Sequence, residues 1–565
     1  MDTPSGITCG IRPSVFVRKG LPALAFVLSA SLAFAAEKPL VMFRLALQSP
    51  GQESEINQML DAIRANPGCC DNLWFATGDG INSLERHRQS ADFLVRAAEK
   101  ARGMGIVPSL QISSTIGHGD NFDAVEGRDA VQLPWQGWTG SNGIACRRCS
   151  CPRAPGFLKH LSEMARLYAA MKPAVVWIDD DLRVGNHSPA PDNPGCWCDE
   201  CLTTFSAQEG RNWARADLLA AILGDDAVAQ RWMAFSTEAL AEVARTIAKA
   251  FRECSPKTQM ALQFCMIGCD AENSRAILHE MHRSAGRPVA ARTGAGWYYD
   301  LEPNGPLVKS YWAARTRSDI NRALPGEVDT WCPEIECWPR VYGSRSARSI
   351  LLEGFASLAH GMESLSMAVS GPLEPTSLYE TAILSPLSKA SPFLHAYARA
   401  NAGTAPAGFT CPDAKFGDMT LHRFALAGIP LLPGDGRSFG EIVSTDRLDI
   451  CLAPSAAIQS RRDALDARAG GTPSVLASPF IGLQFPHVAA DGSLRTLGLV
   501  AARIEPQGPV VIRVRVAEGT RAVWWELGTE PIELPIVRTA TAAQVTIPEI
   551  GAWNCGFIDF ASAGM

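Results

Sequence analysis

Residues 174–181 read Ala-Val-Val-Trp-Ile-Asp-Asp-Asp, an apolar run that ends in three adjacent carboxyl groups. Short runs rich in β-branched and aromatic residues are typical of buried strands. Three neighbouring carboxylates repel one another, so the arrangement is costly unless one is protonated, paired with Arg183 or bound to a cation. The stretch therefore predicts a strand that carries a functional site at its end; the alternative is a solvated strand end with one helix cap.

Seven further apolar runs flank this one, and stretches with apolar residues at three-to-four spacing lie between them. The eight runs cover residues 40–47, 72–76, 106–112, 174–179, 259–266, 288–292, 328–336 and 363–369. Alternation of this kind predicts βα units and a parallel sheet. Eight units over about 350 residues predict a (β/α)8 TIM barrel with insertions. A doubly wound open sheet is disfavoured, because residues 47–51, after the first run, hold no Gly-rich phosphate loop.

The two ends of the chain have a different character. Arg18 and Lys19 precede an apolar run over residues 21–35 that ends in Ala-Phe-Ala, which predicts a secretory signal peptide at 1–35 and a periplasmic or secreted protein. That run is about 15 residues long, shorter than the roughly 20 needed to cross a bilayer, so no membrane association is expected after cleavage. An uncleaved anchor is the alternative.

The rest of the chain divides into three predicted parts: a catalytic barrel over 36–400, a small α/β module over 401–480 and a C-terminal β-sandwich over 481–565. Short alternating strands separated by turn residues indicate the sandwich. The 565 residues, 47% of them hydrophobic, can form several cores. The net charge of −6, without a long basic run, argues against nucleic-acid binding and suits a neutral partner.

A second acidic strand end lies at residues 328–339, which read Val-Asp-Thr-Trp-Cys-Pro-Glu-Ile-Glu-Cys-Trp-Pro. The period of two places Glu334 and Glu336 on the same face. In a TIM barrel the chemistry occurs at the C-terminal ends of the strands, so the fourth and seventh strands would present carboxyl groups across the barrel mouth. A pair about 5 to 5.5 Å apart can serve a retaining glycosidase, in which one group donates a proton and the other attacks the sugar.

The end of the fourth strand resembles that of clan A glycoside hydrolases, in particular the family 42 β-galactosidases and the related family 164 β-mannosidases. Those enzymes place an Asp-Asn-Glu-like sequence there, and Asp179-Asp180-Asp181 occupies it here. The resemblance implies Asp181 as general acid/base and Asp180 as a contact of the sugar 2-hydroxyl. Both positions depart from the family pattern, since Asp replaces the usual Glu and Asn. An Asp is one methylene shorter than a Glu, so Asp180 as the acid/base stays open as the alternative.

The end of the seventh strand carries the other half of the resemblance. The family nucleophile is often followed three residues later by Pro, which matches Glu336 and Pro339. The resemblance therefore implies Glu336 as nucleophile, with Glu334 as a substrate-binding carboxylate; the reverse assignment stays open.

Six cysteines crowd into residues 146–151 and 196–201. The C-x-C-x-x-C order of the second group is a spacing typical of metal ligands. Family 42 enzymes resemble this pattern and add a fourth Cys from the preceding loop, which implies a structural zinc site formed by Cys151, Cys196, Cys198 and Cys201. Disulfide bonds are the alternative in an oxidising compartment. Neither arrangement leaves an open position for catalysis, and no organic cofactor is expected.

Weaker substrate-binding candidates follow other predicted strands: Arg44, Arg292, Trp297 and Trp338. The arginines and Trp297 could bind sugar hydroxyls, and Trp338 could stack on a pyranose face, although an aromatic residue is at least as often part of a core.

Together these features predict a retaining glycoside hydrolase that cleaves a β-glycosidic bond of the β-galactoside or β-mannoside type, with a carbohydrate as its partner. Relatives often carry a flavodoxin-like module used in trimer formation, so the resemblance also implies a possible homotrimer. Two alternatives stay open. One is a metal-dependent TIM-barrel hydrolase that uses residues 179–181, and the other is a catalytically inactive carbohydrate-binding barrel.

Overall fold

The structure is a computed structural model of the whole chain. It describes residues 39–48, 53–78, 80–120, 133–185, 187, 189–191, 193–265, 270–294, 298, 305–337, 343–368, 375–415, 418–442, 454–539 and 543–562. The predicted signal peptide lies outside these residues, so export stays a prediction. None of the described helices combines the length and apolar character needed to cross a membrane.

Eight parallel strands form a closed barrel, and each pairs with its neighbour in chain order. They are β1 (Val41–Gln48), β2 (Asn72–Ala76), β3 (Val107–Ile112), β4 (Val175–Ile178), β5 (Gln259–Cys265), β6 (Val289–Gly294), β7 (Val328–Glu336) and β8 (Leu365–Ala368). The pairing of Val41 with Leu365 closes the ring between β1 and β8. The predicted (β/α)8 fold is confirmed, and each strand overlaps one of the eight predicted runs.

Helices follow the strands and cover the outside of the barrel. They are α1 (Glu53–Ala65), α2 (Leu84–Gly103), α3 (Pro155–Ala169), α4 (Asp199–Glu209), α5 (Arg215–Gly224), α6 (Asp226–Cys254), α7 (Asp270–Ala285), α8 (Gly305–Ala323) and α9 (Ala347–Ala359). The long helix α6 shows why these segments are helical. Asp225 caps its first turn by accepting from the Ala227 amide, and apolar residues at three-to-four spacing, such as Leu240, Val243 and Ile247, are buried.

An apolar layer lies inside the barrel below the mouth. Met42, Trp74, Trp177, Ala261, Ala290 and Cys332 form one cluster there. The rings of Trp74 and Trp177 stack with their centroids 4.1 Å apart. This layer fills the barrel, so an occupant can enter only above it, at the C-terminal ends of the strands.

Two sheets follow the barrel after a helical segment that includes α10 (Thr376–Tyr379) and α11 (Ser385–Ala400). The elements that come after this segment are β9 (Ala405–Thr410), α12 (Met419–Leu426), β10 (Arg437–Glu441), α13 (Ser455–Arg468), β11 (Ser474–Leu476), β12 (Gly482–Val488), β13 (Leu494–Ala501), β14 (Val510–Val514), β15 (Thr520–Glu526), β16 (Ile532–Leu534), β17 (Ile536–Arg538), β18 (Ala543–Ile547) and β19 (Cys555–Ser562). A separate two-stranded hairpin, Gly137–Thr139 with Ala145–Ser150, lies between β3 and α3. The seven-stranded sheet has the order β10-β9-β12-β13-β19-β15-β16, and the four-stranded sheet has the order β11-β14-β18-β17.

The pairing of β9 with β12 joins the predicted α/β module to the predicted sandwich within one sheet. Apolar residues of both sheets, among them Leu497, Ile512 and Trp524, form a shared core. The predicted boundary near residue 480 therefore crosses a continuous sheet, and the predicted domain limits stay predictions.

Candidate active site

Charged side chains gather at the C-terminal end of the barrel. Arg44 lies on β1, Arg292 on β6, and Glu334 and Glu336 on β7. All four are buried, with at most 7% of their surface exposed. Buried charges are tolerated only when opposite charges and hydrogen bonds surround them, so the pairing of these groups defines the site.

Arg292 joins β4 to β7. Its Nη2 lies 3.4 Å from Oδ2 of Asp180, and its Nη1 donates to Oε1 of Glu334. Burial disfavours the charge on Arg292, but the surrounding carboxylates, Glu334 foremost, raise its pKa well above the ordinary value. One cation thus holds two carboxylates from opposite sides of the mouth.

Arg44 connects β1 to both β7 carboxylates and to β3. Its Nη1 lies 3.1 Å from Oε2 of Glu336 and 3.7 Å from Oε1 of Glu334. Its Nε donates to Oε1 of Gln111 at 3.1 Å, and the Gln111 amide donates to Oδ2 of Asp179 at 2.9 Å. Gln111 did not stand out in the sequence, because a single amide on a strand carries no motif.

Glu334 has a partner at each of its oxygens. Besides the two arginines at Oε1, the Tyr298 hydroxyl donates to Oε2 at 3.2 Å. Burial raises the pKa of Glu334, the charge of Arg292 opposes that effect, and repulsion from Glu336 adds to it. A Cβ at Gly294 would lie 2.9 Å from Oε2, so glycine is needed there for the carboxylate to fit.

His118, which follows β3, contacts two of the three aspartates. Its Nε2 lies 3.6 Å from Oδ2 of Asp179, and its Nδ1 lies 3.8 Å from Oδ1 of Asp180. Burial alone would lower the pKa of His118, but hydrogen bonding and charge from Asp179 raise it to about 10, so the imidazole is protonated at neutral pH. Although burial acts in the other direction, His118 in turn holds the pKa of Asp179 well below its usual range.

Asp181 does not join this group. It is fully buried, and its carboxyl group accepts hydrogen bonds from the loop after β3: Oδ2 from the amides of Thr115 at 2.5 Å and Gly117 at 2.8 Å, and Oδ1 from the Thr115 hydroxyl at 2.7 Å. The chain turns after Ile178, so the alternation of the strand does not extend to residue 181. Asp180, and not Asp181, contacts Arg292, the cation that also binds Glu334 on β7. The acid/base role of Asp181 stays a prediction.

The buried carboxyl group of Asp181 predicts a pH effect on stability. Burial raises its folded-state pKa to about 7, above the ordinary value, so its contribution is fully present below about pH 4 and is lost as the pH rises to about 7. Asp181→Asn keeps an acceptor for the two amides and a donor for the Thr115 hydroxyl. Between pH 4 and 7, we expect the free energy of unfolding of this variant to fall by less than that of the wild type, with a difference of up to about 4 kcal/mol. Urea unfolding of both proteins at pH 4, 5.5 and 7 measures this; parallel pH dependences would contradict it.

The four predicted cysteine ligands lie together and are buried, with their sulfurs within 4.8 Å of one another. The Sγ of Cys151 is 3.6 Å from the Sγ of both Cys201 and Cys198. A disulfide needs about 2.05 Å, whereas a tetrahedron with Zn–S bonds of about 2.3 Å has edges of about 3.8 Å. The spacing of these residues therefore fits a zinc ion bound by four thiolates.

A second group of possible ligands lies at the mouth, where atoms of His118, Asp179 and Asp180 approach within 4.8 Å. Arg292 and Arg183 also contact Asp180, at 3.4 and 3.7 Å. A divalent cation there would have to compete with two guanidinium groups and a protonated imidazole. These charges suit aspartates that are neutralised by the protein's own cations better than aspartates that hold a metal ion with an activated water.

The structure thus brings five of the predicted site residues into one cluster: Asp180, Glu334, Glu336, Arg44 and Arg292. Trp297 and Trp338 lie outside the described residues, so their predicted roles stay untested.

No family model and no curated protein matches this chain. Solved structures do match it over almost its whole length. A β-galactosidase from Bacillus circulans sp. alkalophilus has a TM-score of 0.55 at 9% identity, covering 93% of this chain and 99% of that one. A catalytic mutant of Gan42B, a GH42 β-galactosidase from G. stearothermophilus, has a TM-score of 0.54 at 10% identity, covering 92% and 98%.

An α-L-fucosidase isoenzyme 2 from Paenibacillus thiaminolyticus has a TM-score of 0.53 at 10% identity, covering 93% of this chain and 100% of that one. At this level of identity the likeness concerns the fold. The resemblance to glycoside hydrolases that the strand ends predicted is confirmed in that respect, since the neighbours are glycosidases built on the same barrel.

Proposed function

We propose that this protein is a retaining glycoside hydrolase that cleaves a β-glycosidic bond of the β-galactoside or β-mannoside type. The observation that carries the proposal is the cluster of Asp180, Glu334 and Glu336 at the barrel mouth, held by Arg44 and Arg292. Double displacement uses two carboxyl groups that flank the glycosidic bond, and the ends of β4 and β7 supply carboxyl groups at the barrel mouth.

We assign the nucleophile to Glu336. It is the last residue of β7, one pleat closer to the mouth than Glu334, and its side chain is 9% exposed against 5% for Glu334. Arg44 favours the ionised form that must attack the anomeric carbon. Glu334, with Arg292 at one oxygen and Tyr298 at the other, suits a role in holding the sugar.

We assign the general acid/base to Asp180. In its protonated form it would donate to the glycosidic oxygen while Glu336 forms a bond to the anomeric carbon and the aglycone leaves. In the second step Asp180 would take a proton from water as that water displaces Glu336 from the sugar. The side chain of Asp180 is 18% exposed, whereas Asp181 is fully buried and donors from the loop after β3 occupy its oxygens.

We further propose that Cys151, Cys196, Cys198 and Cys201 bind a structural zinc ion. It would tie the segment just before α3 to the first turn of α4 and the loop that precedes it. Export to the periplasm or medium and assembly as a homotrimer are proposals that follow from the sequence.

Hydrolysis of aryl glycosides tests the function directly. The panel holds β-galactoside, β-mannoside, β-glucoside, β-arabinoside and β-fucoside, with an α-L-fucoside added because one structural neighbour is an α-L-fucosidase. We expect the wild type to turn over a β-galactoside or β-mannoside. Asp180→Ala should lower kcat/KM by about 10² to 10⁴-fold for phenols that need protonation, and far less for dinitrophenyl glycosides.

Added azide gives a second measurement in the same experiment. In Asp180→Ala, azide should attack the glycosyl-enzyme and yield a β-glycosyl azide, which keeps the starting configuration.

Activity lost on treatment with a chelator while the protein stays folded and retains its zinc would instead favour the metal-dependent hydrolase. Sugar binding by the wild type without turnover of any substrate would favour the inactive carbohydrate-binding barrel.

A further inference from the structure

A group of buried charges lies behind β7, outside the carboxylate cluster. Lys309 on α8 and Arg345 before α9 flank Glu353 on α9. The Lys309 Nζ is 3.4 Å from one Glu353 oxygen, and the Arg345 Nη1 is 2.7 Å from the other. The side chains of all three residues are fully buried. Ionic groups without access to water are costly, so a group of three calls for an explanation beyond stability.

Two paths lead from this group to the proposed active site. The Lys309 ammonium lies 5.4 Å from the centre of the Tyr298 ring, within the range of a cation–π contact, and the Tyr298 hydroxyl donates to Glu334. The Arg345 guanidinium donates to the backbone carbonyl of Glu336 at 3.4 Å. The buried charges thus reach the carboxylate of Glu334 through Tyr298 and the backbone of Glu336 directly.

We propose that Lys309 is a positioning residue of this site: anchored by Glu353, it holds the Tyr298 ring so that the Tyr298 hydroxyl fixes the carboxyl group of Glu334. The role as a positioning residue for catalysis rests on the proposed function. Lys309 contacts Glu353 and the Tyr298 ring, and it is the Tyr298 hydroxyl that contacts Glu334.

The charge of Lys309 also acts on Glu334. Among the described residues, Arg44, Arg292 and Lys309 face Glu334 and favour its ionised form, while Glu336 and Asp180 oppose it; the neutral Tyr298 hydroxyl also faces it. Lys309 itself faces Glu353 and Tyr298. Removal of the ammonium leaves Arg345 and Glu353 as a neutral pair and raises the pKa of Glu334. The sugar-holding role proposed for Glu334 uses its ionised form, so the acidic limb of the pH profile should then move to higher pH.

The kinetic test compares Lys309→Met, which keeps the length of the side chain without its charge, with Lys309→Arg, which keeps the charge. We expect Lys309→Met to lower kcat by up to about 100-fold, with a smaller change in KM, and to move the acidic limb of kcat/KM to higher pH. Lys309→Arg should recover much of kcat and the wild-type limb. A wild-type profile in Lys309→Met, or equal losses in both variants without a shift of the limb, would overturn the proposal.

Crystal structures give a readout that needs no activity. In Lys309→Met, and in Glu353→Gln should the first variant not fold, the Tyr298 hydroxyl should move out of hydrogen-bonding distance of Glu334. A Tyr298 that stays in place overturns the positioning role even if the enzyme is a glycosidase. A wild type that hydrolyses nothing in the panel contradicts the proposed function. The position of Tyr298 in the variant then still decides whether Lys309 holds the Tyr298 ring.

Discussion

Replacement of Glu336 by alanine is expected to lower kcat on an aryl β-glycoside by about 10⁴-fold or more, because the variant cannot form the covalent glycosyl-enzyme. Arg44, 3.1 Å from the carboxylate, should remain in place since Gln111 also binds it. Azide can then enter the space left by the side chain, near the guanidinium group, and attack the anomeric carbon from the face that Glu336 used. The product should be an α-glycosyl azide, inverted relative to the substrate.

Initial rates at increasing azide concentration and NMR of the product measure this outcome. Glu334→Ala is the matched control on the same strand and the same face. It loses the contacts to Arg292 and Tyr298, so we expect lower activity without an α-glycosyl azide. If rescue occurs in Glu334→Ala and not in Glu336→Ala, the nucleophile is Glu334. If neither variant yields the azide adduct while the wild type is active, the proposed double displacement with a nucleophile on β7 would be wrong.

Removal of the proposed zinc ion is expected to have the largest effect on stability. Binding of a structural zinc by thiolates contributes on the order of 10 kcal/mol, which is comparable with the whole free energy of unfolding of a typical domain. We therefore expect Cys198→Ser to fold poorly or to be recovered without metal. Elemental analysis of the purified wild type should show one zinc ion per chain, and a chelator should lower its unfolding temperature markedly.

Cys254→Ser provides the control, because Cys254 is exposed at the end of α6 and lies outside the four-cysteine group. This variant should keep its zinc and its unfolding temperature. Mass spectrometry that finds the four cysteines joined as two disulfides, in a protein without zinc, would contradict the proposal and favour the alternative that the sequence left open.

Much of the architecture could be predicted from the sequence, because it depends on local periodicity. Each barrel strand is a short apolar run that must be covered on both faces, and the helices between the strands carry apolar residues on one side. The run 174–178 and the alternation over 328–336 therefore located β4 and β7, with acidic residues at their ends. The C-x-C-x-x-C spacing likewise predicted sulfurs that converge, since neighbouring residues of one loop cannot lie far apart.

Only the tertiary structure decided which of the acidic residues share the mouth. Period-two alternation holds while the chain is extended, and β4 ends at Ile178, so the direction of Asp181 depends on the loop after β3 that supplies its donors. Gln111 and Lys309 carry no local signal, because their partners come from strands and helices distant in the chain. A sequence specifies where a strand ends, but contacts between side chains from separate strands form only when the barrel closes.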